Sequence, residues 1–202
     1  SISSKVATRA EATQGLAEEQ FGSRKRHRAI KLSLNKCLTM DLLRQERRPG
    51  VLCSNDLKSC YDRIVHTVAS LSLQGIGLQE SEIVCMFSTL QNLEHTIRTA
   101  YGDSDKTYGG DLWVIPMQGV YQGNGAGPII WAVVSSPLLW IMKEEGFGTF
   151  FKTSLSGQDI RIVGYAFVDD TDLIQTGRNS HTTGEEVCQD MQKALNLWEG
   201  LI

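Results

Sequence analysis

Apolar residues in the first half of the chain recur mainly at helical spacing. Over residues 29–48 they fall three and four positions apart, and Pro49 and Gly50 end the segment. A second amphipathic segment follows Asp62, and a third begins at Ser81 beside several acidic residues. Residues 1–12, rich in Ser, Ala and Thr, are predicted to be loose. The spacing predicts three helices, with apolar positions at Ile30, Leu34, Cys37, Leu38 and Leu42, then at Ile64, Val65 and Val68, then at Ile83, Val84, Phe87, Leu90, Leu93 and Ile97.

The second half of the chain mixes extended runs with helices. Apolar runs bounded by turn residues predict strands at residues 51–55, 112–115, 150–154, 160–168 and 173–175. A glycine-rich loop at residues 119–127 leads into an apolar helix that begins near Pro128 and is expected to kink or break at Pro137. A last helix is predicted from Glu185, buried through Val187, Met191, Leu195 and Trp198. Because strict βαβ alternation is missing, the pattern favours an α+β fold.

Composition and charge narrow the class of protein. A hydrophobic share of 41% and a charged share of 21% are typical of a globular domain and argue against disorder. Five cysteines at unpatterned spacing exclude a zinc framework and favour reduced thiols. The apolar run at residues 129–142 is too short to cross a bilayer, and no leader opens the chain. We therefore expect no membrane partner and an intracellular location, nuclear or cytoplasmic.

The charge is divided unevenly along the chain. Residues 1–50 carry eleven Lys and Arg against five Asp and Glu, whereas residues 51–202 carry nine against eighteen. A basic front suits contact with phosphates, and an acidic body suits cation binding. Two solvated faces of opposite sign would give the same count, so the charge pattern alone leaves both interpretations open.

Aspartates follow two of the predicted strands. Asp169 and Asp170 form the turn between two apolar extended segments, and Asp56 ends an earlier strand. Adjacent carboxylates at a hairpin tip repel each other unless a cation neutralises them. Three such oxygen donors suit two Mg²⁺ ions, with Mn²⁺ as an alternative ion. An ordinary acidic turn, and a helix N-cap at Asp56, remain the alternatives; Asp62 is better suited to be that cap.

The glycine-rich stretch, residues 118–128, reads QGVYQGNGAGP. Its glycines permit unusual backbone angles and close approach to a ligand, and it opens a helix N-terminus that favours anions. It contains neither a Walker lysine nor the dinucleotide-binding glycine pattern, so by itself it is a weak signal.

Three short patterns occur in a fixed order along the chain: Asp-x4-Tyr-Asp at residues 56–62, Gln-Gly-x4-Pro at residues 122–128 and aromatic-x-Asp-Asp at residues 167–170. Together they resemble motifs A, B and C of reverse transcriptases. The retroelement, non-LTR retrotransposon type is the most similar, and residues 19–24 (EQFGSR) resemble the Gln-x-Gly-Phe-Arg stretch of its fingers. The resemblance covers roughly residues 18–202. It implies partial helical fingers over residues 1–50 and a palm with motifs A, B and C over residues 51–202.

The resemblance also implies a catalytic site. Asp56, Asp169 and Asp170 would be catalytic and would hold two Mg²⁺ ions, with the Leu57 carbonyl as a further metal ligand. The reaction implied is the transfer of deoxynucleotides (dNTPs) to the 3′-end of a DNA or RNA primer on an RNA template. The palm would have an antiparallel sheet with helices packed on one face.

Contacts to nucleotide and primer are carried over in the same way. The implied nucleotide-binding residues are Tyr61, as a steric gate, with Gln122, Gly123, Arg24 and Lys25, and the implied primer or template contacts are Phe167 and Arg26. A solvated basic turn is the alternative for residues 24–28.

Several positions depart from the family pattern. Cys60 replaces a small residue, Tyr121 replaces a proline, and residues 124–127 replace a run with Ser and Pro. The thumb and a lysine-bearing motif are missing, so the full-length protein is expected to have further domains, and this chain alone could be inactive. An RNA-dependent RNA polymerase palm and a non-catalytic remnant that binds nucleic acid are the rival interpretations.

Overall fold

The computed structural model describes residues 1–110 and 117–202, so the predicted strand at residues 112–115 lies outside the described residues. The helices are α1 (Ile2–Ala12), α2 (Ala29–Glu46), α3 (His66–Gly75), α4 (Glu80–Gln91), α5 (Gly127–Glu144) and α6 (Gly184–Leu201), with a 3₁₀ turn at Cys60–Arg63. The strands are β1 (Gly50–Asp56), β2 (Arg98–Thr99), β3 (Gly102–Asp103), β4 (Thr149–Lys152), β5 (Asp159–Ile162), β6 (Gly164–Phe167) and β7 (Asp170–Thr176).

A three-stranded antiparallel sheet in the order β1-β7-β6 organises the chain. β1 pairs with β7 along its whole length, from Gly50 opposite Thr176 to Asp56 opposite Asp170. β6 joins β7 through a two-residue turn, and β2–β3 and β4–β5 form separate hairpins. Since side chains alternate across a strand, this register decides which residues of β1, β6 and β7 share a face.

Helices cover both faces of the sheet. α5 and α6 pack on one face, where Met142 and Met191 contact the buried side chains of Ala166 and Leu173. On the other face α2 packs through Leu32 and Leu43, in a cluster with Tyr165 and Ile174. The α+β fold predicted from the sequence is confirmed, and α2 adds a helix on the face that the prediction left uncovered.

The apolar positions that the sequence analysis assigned to α2 are the exposed ones. Ile30, Leu34 and Leu38 are 73%, 55% and 51% exposed, and Cys37 and Leu42 are exposed as well. The buried face includes polar groups instead: the Tyr165 hydroxyl donates to Thr39 Oγ1 at 2.5 Å, and Lys36 pairs with Asp172. Hydrophobic spacing placed this helix correctly along the chain but assigned the wrong face, because the sheet face beneath it is partly polar.

Other helical predictions also need correction. Residues 2–12, predicted to be loose, form α1, whose Val6 and Ala10 are fully buried. The second predicted helix begins at His66 rather than just after Asp62, because residues 60–63 form the 3₁₀ turn. The later start changes which side of the helix faces the core, and Val65 and Val68 are half exposed.

The next two helices differ in extent. α4 ends at Gln91, so Leu93 and Ile97 lie beyond it and are exposed, as is Val84 within it. α5 continues through Pro137 without a break. Its N-terminus has Pro128 in the first turn, as predicted, where the missing N–H costs no helical hydrogen bond. None of the helices in the described ranges is long and apolar enough to cross a membrane.

The segment after α1 is tied to it by Arg24. The guanidinium donates to both carboxylate oxygens of Glu11 at 3.0 Å, and to the carbonyls of Ala17 and Gln20 at 3.1 and 3.3 Å. Its side chain is 15% exposed, and this pairing lowers the pKa of Glu11 below its usual value. The predicted domain division at residue 50 stays a prediction; α1 shares its core with α3, α4 and α5.

A buried histidine joins α3 to the glycine-rich loop. His66 Nε2 lies 2.7 Å from the Gly119 carbonyl, and Gln91 Nε2 lies 2.9 Å from His66 Nδ1. Because a carbonyl only accepts, the ring proton is on Nε2 and Nδ1 accepts from Gln91. Burial lowers the pKa of His66 below its ordinary 6.5, against the opposing effect of the Gly119 carbonyl. In the folded protein the His66 ring is therefore favoured in its neutral form, in which it holds the glycine-rich loop.

We expect Arg24→Ala to lower the free energy of unfolding by at least about 1.5 kcal/mol, because hydrogen bonds to a charged and largely buried group are lost. Arg44→Ala is the matched control: Arg44 pairs with Asp41 in the open, and exposed pairs contribute less than about 1 kcal/mol. Urea denaturation of both variants measures the difference. Equal losses in the two variants would contradict a structural role for Arg24.

We expect stability to depend on pH through His66. The unfolded histidine takes up a proton near pH 6.5, whereas the folded one resists it, so stability is complete above pH 6.5 and falls as the pH drops from 6.5 towards the lower folded pKa. The slope there is at most about 1.4 kcal/mol per pH unit. Urea denaturation between pH 7.5 and 5 should show a flatter profile for His66→Gln. The exposed His181→Gln should keep the wild-type slope, and an unchanged slope in His66→Gln would refute the assignment.

Candidate active site

A row of three residues crosses the end of the sheet. Asp56 on β1 lies directly opposite Asp170 on β7, and Asp170 lies opposite Phe167 on β6. Directly opposed residues of antiparallel strands project to the same face, so both aspartates share one face and one edge. Asp56 and Asp170 are exposed and Phe167 is half-buried. The structure thus brings together residues separated by more than a hundred positions.

The hairpin tip between them has a backbone conformation unusual for its residue. Val168 and Asp169 form the two-residue turn, and Val168 has a φ of 61°. A β-branched residue rarely adopts this left-handed region, and such a conformation costs on the order of 1–3 kcal/mol. Asp169 is half-buried beside the exposed Asp170. The turn sets the direction of both aspartates.

Two neighbouring side chains lie in the field of these carboxylates. Burial, and then the charge of Asp169, raise the pKa of the Cys60 thiol to about 11. Burial, and then Asp169, also raise the pKa of the Tyr61 hydroxyl to about 12, with a smaller contribution from Asp170. Both groups are therefore neutral near pH 7, and Tyr61 lies next to the aspartate edge.

The part of the chain that the structure describes provides no cationic partner for the aspartates. Within residues 1–110 and 117–202, no Lys, Arg or His forms an ion pair with Asp56, Asp169 or Asp170. The same ranges contain no group of three His, Cys, Asp or Glu side chains close enough together to hold a metal ion. The backbones are aligned, but the carboxylates do not converge into one ligand set, so their role as metal ligands stays a prediction.

The donor set nevertheless suits a hard divalent cation. Carboxylate oxygens are the ligands that Mg²⁺ prefers, and Asp56 and Asp170 place two of them directly opposite each other. Like charges in directly opposed positions destabilise a sheet. A cation at this edge would remove that repulsion, which is the reason these residues fit a metal site.

The glycine-rich loop is fastened beside Tyr61. The Val120 amide donates to the Tyr61 carbonyl at 2.8 Å, and a Cβ on Gly127 would lie 3.5 Å from Tyr61 Cδ1. Gly119 has a φ of 88°, and a side chain there would collide with the Asp62 backbone. Gln122 and Gly123 are exposed in this loop, just before α5. Residues 56–62 and the glycine-rich loop are therefore in contact through Tyr61.

The predicted basic contacts are placed differently from one another. The Arg24 guanidinium donates hydrogen bonds to Glu11 and to two backbone carbonyls, so its contacts lie within the protein. Lys25 and Arg26 are exposed in the connection to α2 and are available to a phosphate. Leu57 is half-buried between the two main clusters of the core. The binding roles of all four stay predictions.

Sequence reasoning missed the residues that hold the hairpin tip. The Gln20 amide and the Trp131 indole bond to the backbone of Val168, and Gly22 packs against it. Gln20 and Gly22 belong to the stretch at residues 19–24 that resembles the family's fingers, but the resemblance assigns them no role. Glutamine is usually exposed, so its burial has no signal in a single sequence.

A cavity of about 590 Å³ adjoins Asp56 on the side of α5 and α6. It lies between the 3₁₀ turn, α3, α5 and the end of α6, and its walls are mostly apolar. Trp131, Leu138 and Trp198 are among its apolar lining residues. Its charged lining residues are Asp56, Lys58, Arg63 and Glu199.

Comparison with known proteins adds information on the fold. No family model and no curated protein matches this chain. Apo telomerase from Candida tropicalis, truncated from the C-terminal domain, matches 95% of this chain and 35% of its own, with a TM-score of 0.56 and 14% identity. Candida albicans telomerase in complex with a TWJ fragment of telomeric RNA matches 96% of this chain and 31% of its own, with a TM-score of 0.57 and 12% identity.

A third match is Candida tropicalis telomerase in complex with the same kind of RNA fragment: 98% of this chain, 30% of that one, a TM-score of 0.56 and 14% identity. This chain thus spans about a third of the length of the telomerases that it matches. At such identities the likeness is one of fold. The chain therefore has an α+β fold similar to part of these telomerases.

Proposed function

We propose that this chain is the palm of an RNA-directed DNA polymerase, which transfers dNTPs to the 3′-end of a DNA or RNA primer on an RNA template. The observation that carries the proposal is the direct opposition of Asp56 and Asp170 at the sheet edge, with Asp169 in the adjoining turn. The telomerase-like fold supports it. The retroelement type, the thumb and the further domains stay predictions from the motifs.

Asp56, Asp169 and Asp170, with the Leu57 carbonyl, are the groups that would hold two Mg²⁺ or Mn²⁺ ions. When bound, such ions activate the attacking 3′-hydroxyl and stabilise the leaving pyrophosphate. The chain itself contributes positioning: the strand register aligns the carboxylates, and the turn at Val168 orients two of them. No covalent nucleophile is required, because positioning and charge stabilisation supply the catalysis.

The nucleotide would lie between Tyr61 and the glycine-rich loop. The ring of Tyr61 is held against Gly127, and Gln122 and Gly123 are exposed beside it. Lys25 and Arg26 would contact phosphates of the nucleotide or template. Nucleic-acid binding has its parallel in the telomerases solved with RNA.

We expect Asp170→Asn to raise the free energy of unfolding by about 0.2–1 kcal/mol in chelating buffer, because one of two opposed negative charges is removed. Mg²⁺ should stabilise the wild-type protein, as a ligand of the folded state does, and this effect should be lost in the variant. In primer extension on RNA by a thumb-containing version of the protein, Asp56→Asn should reduce the rate at least about hundredfold. Unfolding with and without Mg²⁺, and extension assays, measure these effects.

Asp105→Asn is the control, since Asp105 is exposed in the loop after β3. It should change neither the Mg²⁺ response nor extension. Equal stabilisation of wild type and Asp170→Asn by Mg²⁺, or undiminished extension by Asp56→Asn, would contradict the proposal. Binding of RNA with no Mg²⁺ response and no extension would favour the non-catalytic alternative, and preferential use of ribonucleotides would favour the RNA polymerase.

In an active, thumb-containing version of the protein, we expect Tyr61→Ala to raise the ratio of ribonucleotide to deoxynucleotide kcat/KM by at least about tenfold. The ring is held beside Gly127 and near Asp169, where a 2′-hydroxyl would collide with it, and overpacking costs about 1–3 kcal/mol. Each 1.4 kcal/mol is a factor of ten. Competitive incorporation of the two nucleotide types measures the ratio.

Tyr61→Phe is the matched control, because it keeps the ring and removes only the hydroxyl. Its nucleotide ratio should equal that of the wild type. A Tyr61→Ala protein that loses both nucleotide types in the same proportion would show that Tyr61 only packs the 3₁₀ turn.

A further inference from the structure

The turn that carries Asp169 is held by a side chain far away in the sequence. Gln20 is completely buried, with 0% of its surface exposed. Its Oε1 accepts the Val168 amide at 3.1 Å, and its Nε2 donates to the Val168 carbonyl at 3.3 Å. A primary amide offers an acceptor and a donor side by side, so it can pair with both backbone groups of one residue. Gln20 therefore forms hydrogen bonds with both backbone groups of Val168, as a neighbouring strand would.

Two further contacts enclose the same residue. The Trp131 indole of α5 donates to the Val168 carbonyl at 2.8 Å. The Gly22 amide donates to Gln20 Oε1 at 3.0 Å, which keeps the amide group oriented. A Cβ placed on Gly22 would lie 2.2 Å from the Val168 nitrogen, so only glycine allows this approach. The turn is thus fixed from two sides, by residues 20–22 and by α5.

Gln20 is itself fixed to the sheet. The Ala166 amide donates to the Glu19 carbonyl at 2.9 Å, and the Phe21 amide donates to the Ala166 carbonyl at 2.8 Å. Residues 19–21 therefore run along the outer edge of β6, two residues from the turn. Movement of this segment is coupled to the position of Val168 through five hydrogen bonds, including those of the Gln20 side chain.

We infer that Gln20 is a positioning residue of the polymerase site, which holds Val168 at positive φ and so fixes the turn that carries Asp169 and leads into Asp170. The inference rests on the proposed function and assigns Gln20 a part in it. Without the amide, Val168 can relax towards the negative φ that valine prefers, and the peptide before Asp169 turns with it. The fold would remain, because α5 and α6 hold the sheet from the opposite face.

The test uses Gln20→Ala, Gln20→Glu and the control Gln158→Ala, an exposed glutamine in the β4–β5 hairpin. Hydrogen exchange followed by NMR should show the Val168 amide exchanging at least tenfold faster in Gln20→Ala. Exchange at Leu173, in the centre of β7, should be unchanged. Gln20→Glu keeps an acceptor for the amides and should restore most of the protection, and Gln158→Ala should match the wild type.

The second measurement is the metal response. In Gln20→Ala, the Mg²⁺ concentration that gives half of the thermal stabilisation should rise at least tenfold. In primer extension kcat should fall at least tenfold, whereas KM for dNTP changes less than threefold, because Gln20 does not touch the nucleotide. Unchanged Val168 exchange, or faster exchange at Val168 and Leu173 alike, would overturn the inference.

The two proposals fail in different ways. Selective release of Val168 with an unaltered Mg²⁺ response would overturn the positioning role and leave the proposed function intact. A thumb-containing wild-type protein with neither a Mg²⁺ response nor extension would overturn the proposed function, and with it the catalytic meaning of Gln20. If Gln20→Ala does not fold, Gln20→Asn, whose shorter side chain draws the amide away from Val168, should still accelerate Val168 exchange, and no acceleration would count against the inference.

Discussion

The hairpin between β6 and β7 reverses direction in two residues, and the first of them is a valine at positive φ. This constraint requires support from elsewhere in the chain, because valine alone prefers other conformations. The support comes from Gln20 and Gly22 on one side and from Trp131 on the other. The path of residues 19–22 along β6, and the approach of α5 to the turn, both follow from it.

The sheet edge next to this turn carries negative charge that no ion pair among the described residues neutralises. Asp56 and Asp170 lie opposite each other, and the charge of Asp169 contributes to the raised pKa values of Cys60 and Tyr61. Such an arrangement lowers stability, and it persists because the rest of the sheet is well packed between helices. Local instability concentrated at one edge of a firmly held sheet is typical of a site built for a charged ligand.

The wrong buried face predicted for α2 has a physical cause. Periodicity shows that a helix forms, but which side is buried depends on what lies across from it. For α2 the facing residues include Asp172 and Tyr165, which take Lys36 and Thr39 as partners, so Leu34 and Leu38 face outwards. Arg24 pairs with Glu11, a contact that the basic run did not indicate, and its predicted nucleotide contact stays a prediction.

The sequence alone determined the α+β class, the approximate limits of most elements and the order of the three motifs, because these depend on local spacing and on residue type. Only the tertiary structure decided that Asp56 pairs with Asp170, that Tyr61 lies against Gly127 and that Gln20 holds Val168. These contacts join residues 66 to 148 positions apart. They arise from strand register and from the burial of polar groups, neither of which leaves a periodic trace in the sequence.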